Sequence, residues 1–292
     1  MELLTDSTAL QRWIDARRAA GGGIGFVPTM GALHAGHMAL IHAARAQTAH
    51  VVASIFVNPT QFGPNEDFGR YPRTLDADRV LLTEAGCAAL YLPTVEQIYP
   101  EGFQTSVRVG ALAEELCGRS RPGHFDGVAV VVTILLNRVR PDVAFFGLKD
   151  YQQYLVIRRL VTDLVLPVRV VGVPTVREPD GLAMSSRNRY LDAESRRRAA
   201  ALYRGLSLAR EAWIAGERDG TVLENRVRQV LQQAGIDTVE YVSLREARSL
   251  RSYTPQADRE EDPVMLLAVR VGGARLIDNM VLSSEEGAGL SI

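Results

Sequence analysis

Lysine is almost missing from this chain. Of its 33 basic residues, 32 are arginine and one is lysine, Lys149. Cysteine is nearly as scarce. Cys87 and Cys117 are too few for the disulfide framework of a secreted scaffold in 292 residues. They sit in apolar or loop contexts with no second ligand nearby, which gives no zinc pattern. No apolar run nears the length of a membrane span. The longest, Val128 to Leu136, contains Thr133 and stops at Asn137 and Arg138. The start of the chain carries Glu2, Asp6, Arg12 and Asp15 and shows no signal-peptide core. Neither sign of charge prevails: 33 basic against 34 acidic residues leave a net charge of −1. That excludes a globally basic nucleic-acid coat but not a local anion site. The expectation is a cytoplasmic protein with no nucleic-acid partner and no membrane span.

What is present is ordinary for a globular protein, with 47% hydrophobic and 23% charged residues. At roughly 150 residues per domain, the length suggests two domains. A chain near 300 residues buries about 75% of its unfolded surface and needs no covalent staples. The arginine excess has a bland source, a compositional drift that replaces lysine wherever a generic positive charge suffices. Under that drift the surviving Lys149 marks a place where arginine will not do; chance survival is the alternative. An ammonium is a compact point charge with three donors, whereas a guanidinium is a wide planar fork. A tight pocket around a phosphate oxygen would need the former.

Residues 7 to 20 read as a helix with Ser7 as N-cap, Leu10, Trp13 and Ile14 as its apolar stripe, and Gly21 to Gly23 as its end. Ile24 to Val27 reads as a strand closed by Pro28. The loop Thr29 to Gly36 leads into a helix over about 37 to 48. Strands follow at 51–57, 88–92, 142–146 and 168–173, with helices at 75–85, 127–138 and 150–164. Asn58 to Pro72 is a long polar loop. Apolar strands alternating with helices predict an α/β fold, a Rossmann-like, doubly wound parallel sheet covered on both faces. After a polar loop at 180–190 the pattern changes. A long helix is expected over about 193–215 and another over 220–234, then strands near 238–244, 264–271 and 274–282. These make a second, smaller α+β C-terminal domain. Pro174, Glu178, Pro179, Asp180 and Gly181 cluster at the junction, giving domains 1–177 and 178–292. Thr254 to Pro263 reads as an exposed hairpin loop.

Four stretches carry chemistry. The first, Pro28 to His37, follows the first strand of the sheet and opens a crossover helix. Ligands of open α/β sheets bind outside the carboxyl ends of strands, and a helix N-terminus there offers N–H groups to phosphate. Gly36 allows close approach, and His34 and His37 can donate hydrogen bonds to phosphate oxygens as charge builds. His42, His50 and His124 lack such a setting. The second stretch, Gly147-Leu148-Lys149-Asp150-Tyr151-Gln152-Gln153, ends a later strand and begins a helix. Asp150 is either a first-turn acid or a carboxylate that holds Mg²⁺ on phosphates. Gln153 lies one turn further on. The third, Met184 to Arg189, sets two hydroxyls and a guanidinium in sequence. It suits a mobile polyphosphate clamp or a plain solvated loop. The fourth runs Phe56-Val57-Asn58-Pro59-Thr60-Gln61-Phe62-Gly63, with Glu66, Asp67 and Tyr71-Pro72-Arg73 after it. Its Asn and Gln can read a small polar substrate without charge.

Through H-A-G-H at 34–37, F-V-N-P-T-Q-F at 56–62, Y-P-R at 71–73, F-G-L-K-D-Y-Q-Q at 146–153 and M-S-S-R-N at 184–188, the chain resembles the pantothenate synthetase (pantoate–β-alanine ligase) family, within the H-x-G-H nucleotidyltransferase superfamily. The likeness is close over roughly 24–190; the C-terminal third matches in length and general pattern only. It implies that ATP, (R)-pantoate and β-alanine give pantothenate, AMP and pyrophosphate through a pantoyl adenylate. It implies an ATP site at Met30, Gly31, Ala32, Leu33, His34, Ala35, Gly36 and His37, continued by Gly147, Leu148, Lys149 and Asp150, and completed by Val176, Met184, Ser185, Ser186 and Arg187. His37, His34 and Lys149 would be catalytic. Gln61 and Gln153 would bind pantoate, with Asn58 beside them. Mg²⁺, with Asp150 as its ligand, a cytoplasmic setting and a homodimer are implied as well. No role is implied for the acidic stretch Glu260 to Asp262 or the tail after Leu282. Two other readings share the motifs: an adenylyltransferase acting on a phosphate-bearing small molecule, and a non-catalytic nucleotide sensor. The first calls for a second anion site, whereas Asn58, Gln61 and Gln153 are neutral.

Overall fold

The computed structural model describes residues 1–64, 66–255 and 262–283. Ile24, Phe26, Val27, Val52, Ala53, Ala144 and Phe145 are all fully buried. Strands this apolar on both sides can only lie inside a sheet covered by helices on two faces. The elements in order are β1 (Glu2–Leu4), α1 (Ser7–Ala19), β2 (Ile24–Thr29), α2 (Ala35–Gln47), β3 (His50–Ile55), α3 (Leu75–Glu84), β4 (Ala89–Tyr91), α4 (Val95–Ile98), α5 (Cys117–Ser120), α6 (His124–Val139), β5 (Val143–Gly147), α7 (Tyr151–Asp163) and β6 (Arg169–Val173). The strands form one parallel sheet in the order β1-β4-β3-β2-β5-β6. One face packs Leu40, Ile41 and Ala44 of α2 and Leu82 of α3 on Val27, Val51, Ala53, Leu90 and Phe145. On the opposite face α1 and α6 lie against β2.

The direction of winding reverses between β2 and β5. From β2 the chain builds outward through β3 and β4, then returns to add β5 and β6 on the other side. Ligands of such sheets bind at that reversal, beyond the strand ends. The segments that leave β2 and β5 there are 30–34 and 148–150.

The chain divides into two compact units. One is Met1–Leu148 with Gln152–Val173; the other is Lys149–Tyr151 with the described residues from Pro174 onward. The division after Val173 falls four residues before the expected 177/178 boundary, and the lysine turn groups with the second unit. That unit continues α8 (Ala193–Ala199), α9 (Ala201–Ile214), α10 (Gly220–Gln233), β7 (Thr238–Arg245), β8 (Val264–Val271) and β9 (Ala274–Val281). Its three strands form an antiparallel sheet in the order β7-β8-β9. Leu202, Leu206, Leu223 and Val227 of the helices pack on Val242, Leu267 and Val269.

Several local expectations need correction. Asp6, not Ser7, caps α1, its carboxylate accepting from the Ala9 N–H at 2.8 Å; an ionised oxygen outcompetes a hydroxyl for that amide. β2 runs past Pro28 to Thr29, because beyond Phe26 it pairs only with β3 and Pro28 needs no N–H on its other side. α2 starts at Ala35 rather than 37, with His34 as its cap. The long helix near 193–215 is two helices broken at Ala200, and no Gly or Pro marks the break. β1 has only three residues, too few for a readable alternation. The expected hairpin loop at Thr254 to Pro263 falls largely on residues 256–261, outside the described residues, as does the tail from 284. Both cysteines are buried and free, and burial pushes the Cys87 thiol up to about 11. Among the described residues no helix is long and apolar enough to cross a membrane.

One packing contact sets the position of the 58–61 turn. A Cβ on Gly127 of α6 would lie 2.5 Å from the Thr60 carbonyl oxygen, well inside contact distance. Gly127→Ala is therefore expected to destabilise the fold by about 1–3 kcal/mol, the usual cost of overpacking. A denaturant midpoint equal to that of the parent chain would show that helix and turn can separate freely.

Candidate active site

The loop after β2 is shaped by a carboxylate from α3. Asp78, only 1% exposed, accepts the backbone N–H groups of Ala32 at 2.9 Å and Leu33 at 2.8 Å, and the Thr74 hydroxyl at 3.1 Å. It holds Gly31 and Ala32 in the left-handed region, with φ of 80° and 51°. For Ala32 that conformation costs on the order of 1 kcal/mol, less than the 1.5–3 kcal/mol or so of a hydrogen bond to a charged group. Thr29 ties the loop to β3, its hydroxyl donating to the Ser54 carbonyl at 2.8 Å.

The two histidines close the loop by capping α2 reciprocally. The His34 Nδ1 accepts from the Gly36 N–H at 3.2 Å, and the His37 Nδ1 accepts from the His34 N–H at 3.3 Å. Their ring centroids are 4.2 Å apart. With Nδ1 accepting in both rings, the neutral tautomer carries its proton on Nε2. Two Nε2–H donors thus stand at a helix N-terminus, the positive end of its dipole.

Gln61 lies beside this loop. Its side-chain N–H donates to the Met30 sulfur at 3.1 Å, and its amide oxygen accepts from Asn58 at 3.2 Å. Asn58 is almost fully buried. It also donates to the Gly127 carbonyl at 3.1 Å and accepts from the Tyr99 hydroxyl at 2.8 Å and the Thr60 hydroxyl at 3.0 Å. Burial raises the Tyr99 phenol above its ordinary value against the pull of its Thr60 and Asn58 hydrogen bonds, so it remains a donor. Asn58 therefore stands behind Gln61 and fixes its amide.

The backbone of Gln61 is held by a second group. Arg121 makes a two-pronged ion pair with Glu66, at 2.6 and 2.5 Å. It also donates to the His124 Nε2 at 2.8 Å, which leaves Nδ1 of that ring to donate to the Gln61 carbonyl at 2.8 Å. Neither Arg121 nor His124 stands out in the sequence. The only trace is their spacing of three across a turn that ends in a buried helix.

In the second unit, Lys149 sits in a single 3-10 turn, Leu148–Asp150, directly after β5. Its ammonium is 3.4 Å from the Asp150 carboxylate, which is half-exposed. Gln153 is half-buried, and no hydrogen bond engages its amide among the described residues. Its neighbour Gln152 is structural, holding the Cys117 N–H and the Leu112 and Glu115 carbonyls. The Met184 N–H donates to the Val176 carbonyl at 3.0 Å. Ser185 caps a 3-10 turn, Ser186–Tyr190, by accepting from the Arg187 N–H at 3.3 Å.

This pattern matches one family along nearly the whole chain: the family model for pantoate-beta-alanine ligase covers residues 2–281. The chain belongs to the pantoate–β-alanine ligase family. It is 56% identical over 287 residues to the pantothenate synthetase of Magnetococcus marinus, covering 98% of this chain and 97% of that one. To the pantothenate synthetase of Moorella thermoacetica it is 50% identical, covering 97% and 99%. A crystal structure of pantothenate synthetase from Thermus thermophilus superposes with a TM-score of 0.90 at 46% identity, covering 97% and 99%. One of pantoate-beta-alanine ligase from Francisella tularensis, complexed with beta-gamma ATP and beta-alanine, superposes with a TM-score of 0.76 at 32% identity, covering 97% and 98%. The ligase family match extends to residue 281, well past the last quoted motif at 184–188.

For a ligase of this family the Glu66–Arg121 pair has a measurable consequence. Burial tends to raise the Glu66 carboxyl, but the Arg121 hydrogen bonds and charge, the Gly63 backbone and His124 outweigh it, so the net shift is below the ordinary 4.5. A carboxyl lowered in the folded state contributes stability that is complete above the unfolded value and is lost as pH falls through the folded one. Glu66→Gln is expected to lower Tm near neutral pH and to flatten its decline below about pH 4.5. Parallel Tm curves for the two proteins across that range would count against the pair.

Proposed function

We propose that this chain condenses (R)-pantoate with β-alanine at the expense of ATP. A pantoate carboxylate oxygen attacks the α-phosphorus, the bond to pyrophosphate breaks, and a pantoyl adenylate forms. The β-alanine amine then attacks the acyl carbon, loses a proton and displaces AMP, leaving the amide of pantothenate. The protein supplies no covalent nucleophile, since the substrates bring their own; its part is positioning and charge neutralisation.

The observation that carries this reading is the contact between Met30 and Gln61. It sets the phosphate-type loop directly beside a neutral, rigidly held amide. His34 and His37 donate Nε2–H to phosphate oxygens as negative charge grows in the transition state. Gln61 and Gln153 hold pantoate, and Asn58 orients Gln61. Met30 to His37, Gly147 to Asp150, Val176 and Met184 to Arg187 bind the nucleotide, with Lys149 on its phosphates. Mg²⁺ is commonly held by one or two carboxylates together with phosphate oxygens. The half-exposed Asp150 fits that donor set, and the ion would spread phosphate charge there. A cytoplasmic homodimer, as the family resemblance implies, completes the proposal, and a sedimentation mass of twice the chain would test the dimer.

ATP–pyrophosphate exchange tests the chemistry. Exchange is expected only when pantoate is added, and not with other small hydroxy acids. Exchange without any acid, or with a phosphorylated acceptor instead, overturns the reading.

The lone lysine allows a sharper test. Lys149→Arg keeps the charge but widens the head group and splays its donors. Shifting the phosphates by about 1 Å can cost on the order of 10²-fold. Single-turnover adenylation by Lys149→Arg is therefore expected to be nearly as slow as by Lys149→Ala, while amide formation from supplied pantoyl adenylate is spared. Near-normal adenylation by Lys149→Arg would mean that any positive charge serves.

A further inference from the structure

Two consecutive residues of β9 reach two of the proposed nucleotide-binding elements of the second unit. Asn279 is nearly buried and donates its side-chain N–H to the Lys149 carbonyl at 2.9 Å. Asp278, whose side chain is fully buried, accepts both Arg177 guanidinium nitrogens, at 2.7 and 3.0 Å. Arg177 follows Val176 directly. It also donates to the Gly181 carbonyl at 3.0 Å and to the Asn279 carbonyl at 3.3 Å, with its guanidinium carbon 4.4 Å from the Tyr203 ring centroid. The Asp278 carboxylate further accepts the backbone N–H of Asn279 at 2.8 Å, which ties the Asp278 side chain to the main chain of the next residue.

The chemistry of this arrangement is one of placement. A buried ion pair gains little stability over apolar packing of the same volume, but it fixes geometry, here that of the hairpin 176–184 that leads into Met184 to Arg187. The lysine turn is short and belongs to no long helix or strand. Its ties to the second unit include the Asn279 donor and, two residues after Lys149, the Tyr151 hydroxyl on the Ala247 carbonyl at 3.1 Å. An ammonium on a flexible stem is only as well placed as the backbone that carries it.

We propose that Asn279 is a positioning residue for Lys149, and that the Asp278–Asn279 step of β9 holds the lysine turn and the 176–187 segment in one register. This rests on the assignment of Lys149 to the nucleotide phosphates. It gives β9, which carries no sequence motif, a part in adenylation.

The test is a cycle of variants read by single-turnover adenylation, with amide formation from supplied pantoyl adenylate as the second readout. Asn279→Leu keeps the size and removes the donor. It is expected to slow adenylation roughly 10- to 100-fold, the scale of a small misplacement, and to leave the second step within about two-fold. Asn279→Asp, which sets an acceptor against the Lys149 carbonyl, is expected to do no better. In a Lys149→Ala background, Asn279→Leu should add no more than about two-fold, because residues that act through one another are not additive. Equal losses in both backgrounds, or a parallel loss in the second step, would reduce Asn279 to a structural residue. Slow Lys149→Ala beside normal Asn279→Leu sinks this inference alone. Normal adenylation by Lys149→Ala sinks it together with the role of Lys149. Should Asn279→Leu fold poorly, Asn279→Ser, whose hydroxyl is too short to reach, carries the same comparison.

Discussion

A buried carboxylate organises the loop that leaves β2. Asp78 lies beneath the loop that leaves β2, and its partners are three neutral donors: two loop amides and the Thr74 hydroxyl. A carboxylate taken out of water is costly unless its oxygens are satisfied. Here the satisfying groups are the N–H bonds of Ala32 and Leu33, so the loop cannot relax away without stranding the charge. The left-handed Ala32 follows from that constraint, and so does the point at which α2 can begin. The helix starts where the chain emerges from the turn, which makes His34 its cap and places His37 one turn later.

The cap in turn fixes the chemistry of the two rings. A histidine free in solution offers either nitrogen; these two each spend Nδ1 on a backbone N–H. The helix thus chooses the tautomer and leaves the proton of each neutral ring on Nε2, near its positive end. A serine or aspartate would cap as well but would have no second nitrogen to give. The proposed donation to phosphate would use the nitrogen that the cap leaves over.

The sheet, its two-sided covering and the smaller second domain could be read from apolar runs and their spacing, and the four motifs were legible because each is contiguous. What escaped was the support for each motif. Asp78 lies 46 positions from Ala32, Gly127 lies 69 from Asn58, and Asn279 lies 130 from Lys149. Such pairings leave no periodic trace. His124 looked ordinary because its role is to present Nδ1–H to the Gln61 carbonyl, 63 positions away, and nothing local reveals that the Asn58 amide is already engaged by Gln61 and Gly127. The uniqueness of Lys149 could be counted in the sequence, but what anchors it could not. The break at Ala200 illustrates the limit from the other side, because alanine favours continuing the helix and nothing in the local sequence marks its end.

The neutrality of the Gln61 surroundings bears directly on which acceptor the site can use. The carboxylate that attacks phosphorus must keep its electron density available, and a cation paired tightly to it would withdraw that density. A phosphate-bearing acceptor carries nearly two charges and would need cations for the same reason that polyphosphate does. The Gln61 side chain meets Met30 and Asn58, neither of them charged. The nearest guanidinium, that of Arg121, is bound by both oxygens of Glu66 and turns its remaining donors to His124 and the Gln61 carbonyl. Its charge is cancelled where it stands, and it acts on Gln61 through the backbone rather than on a ligand. If Gln61 holds the acid, as proposed, it does so by an amide donor that leaves the carboxylate unquenched, which is what adenylation of a free acid requires.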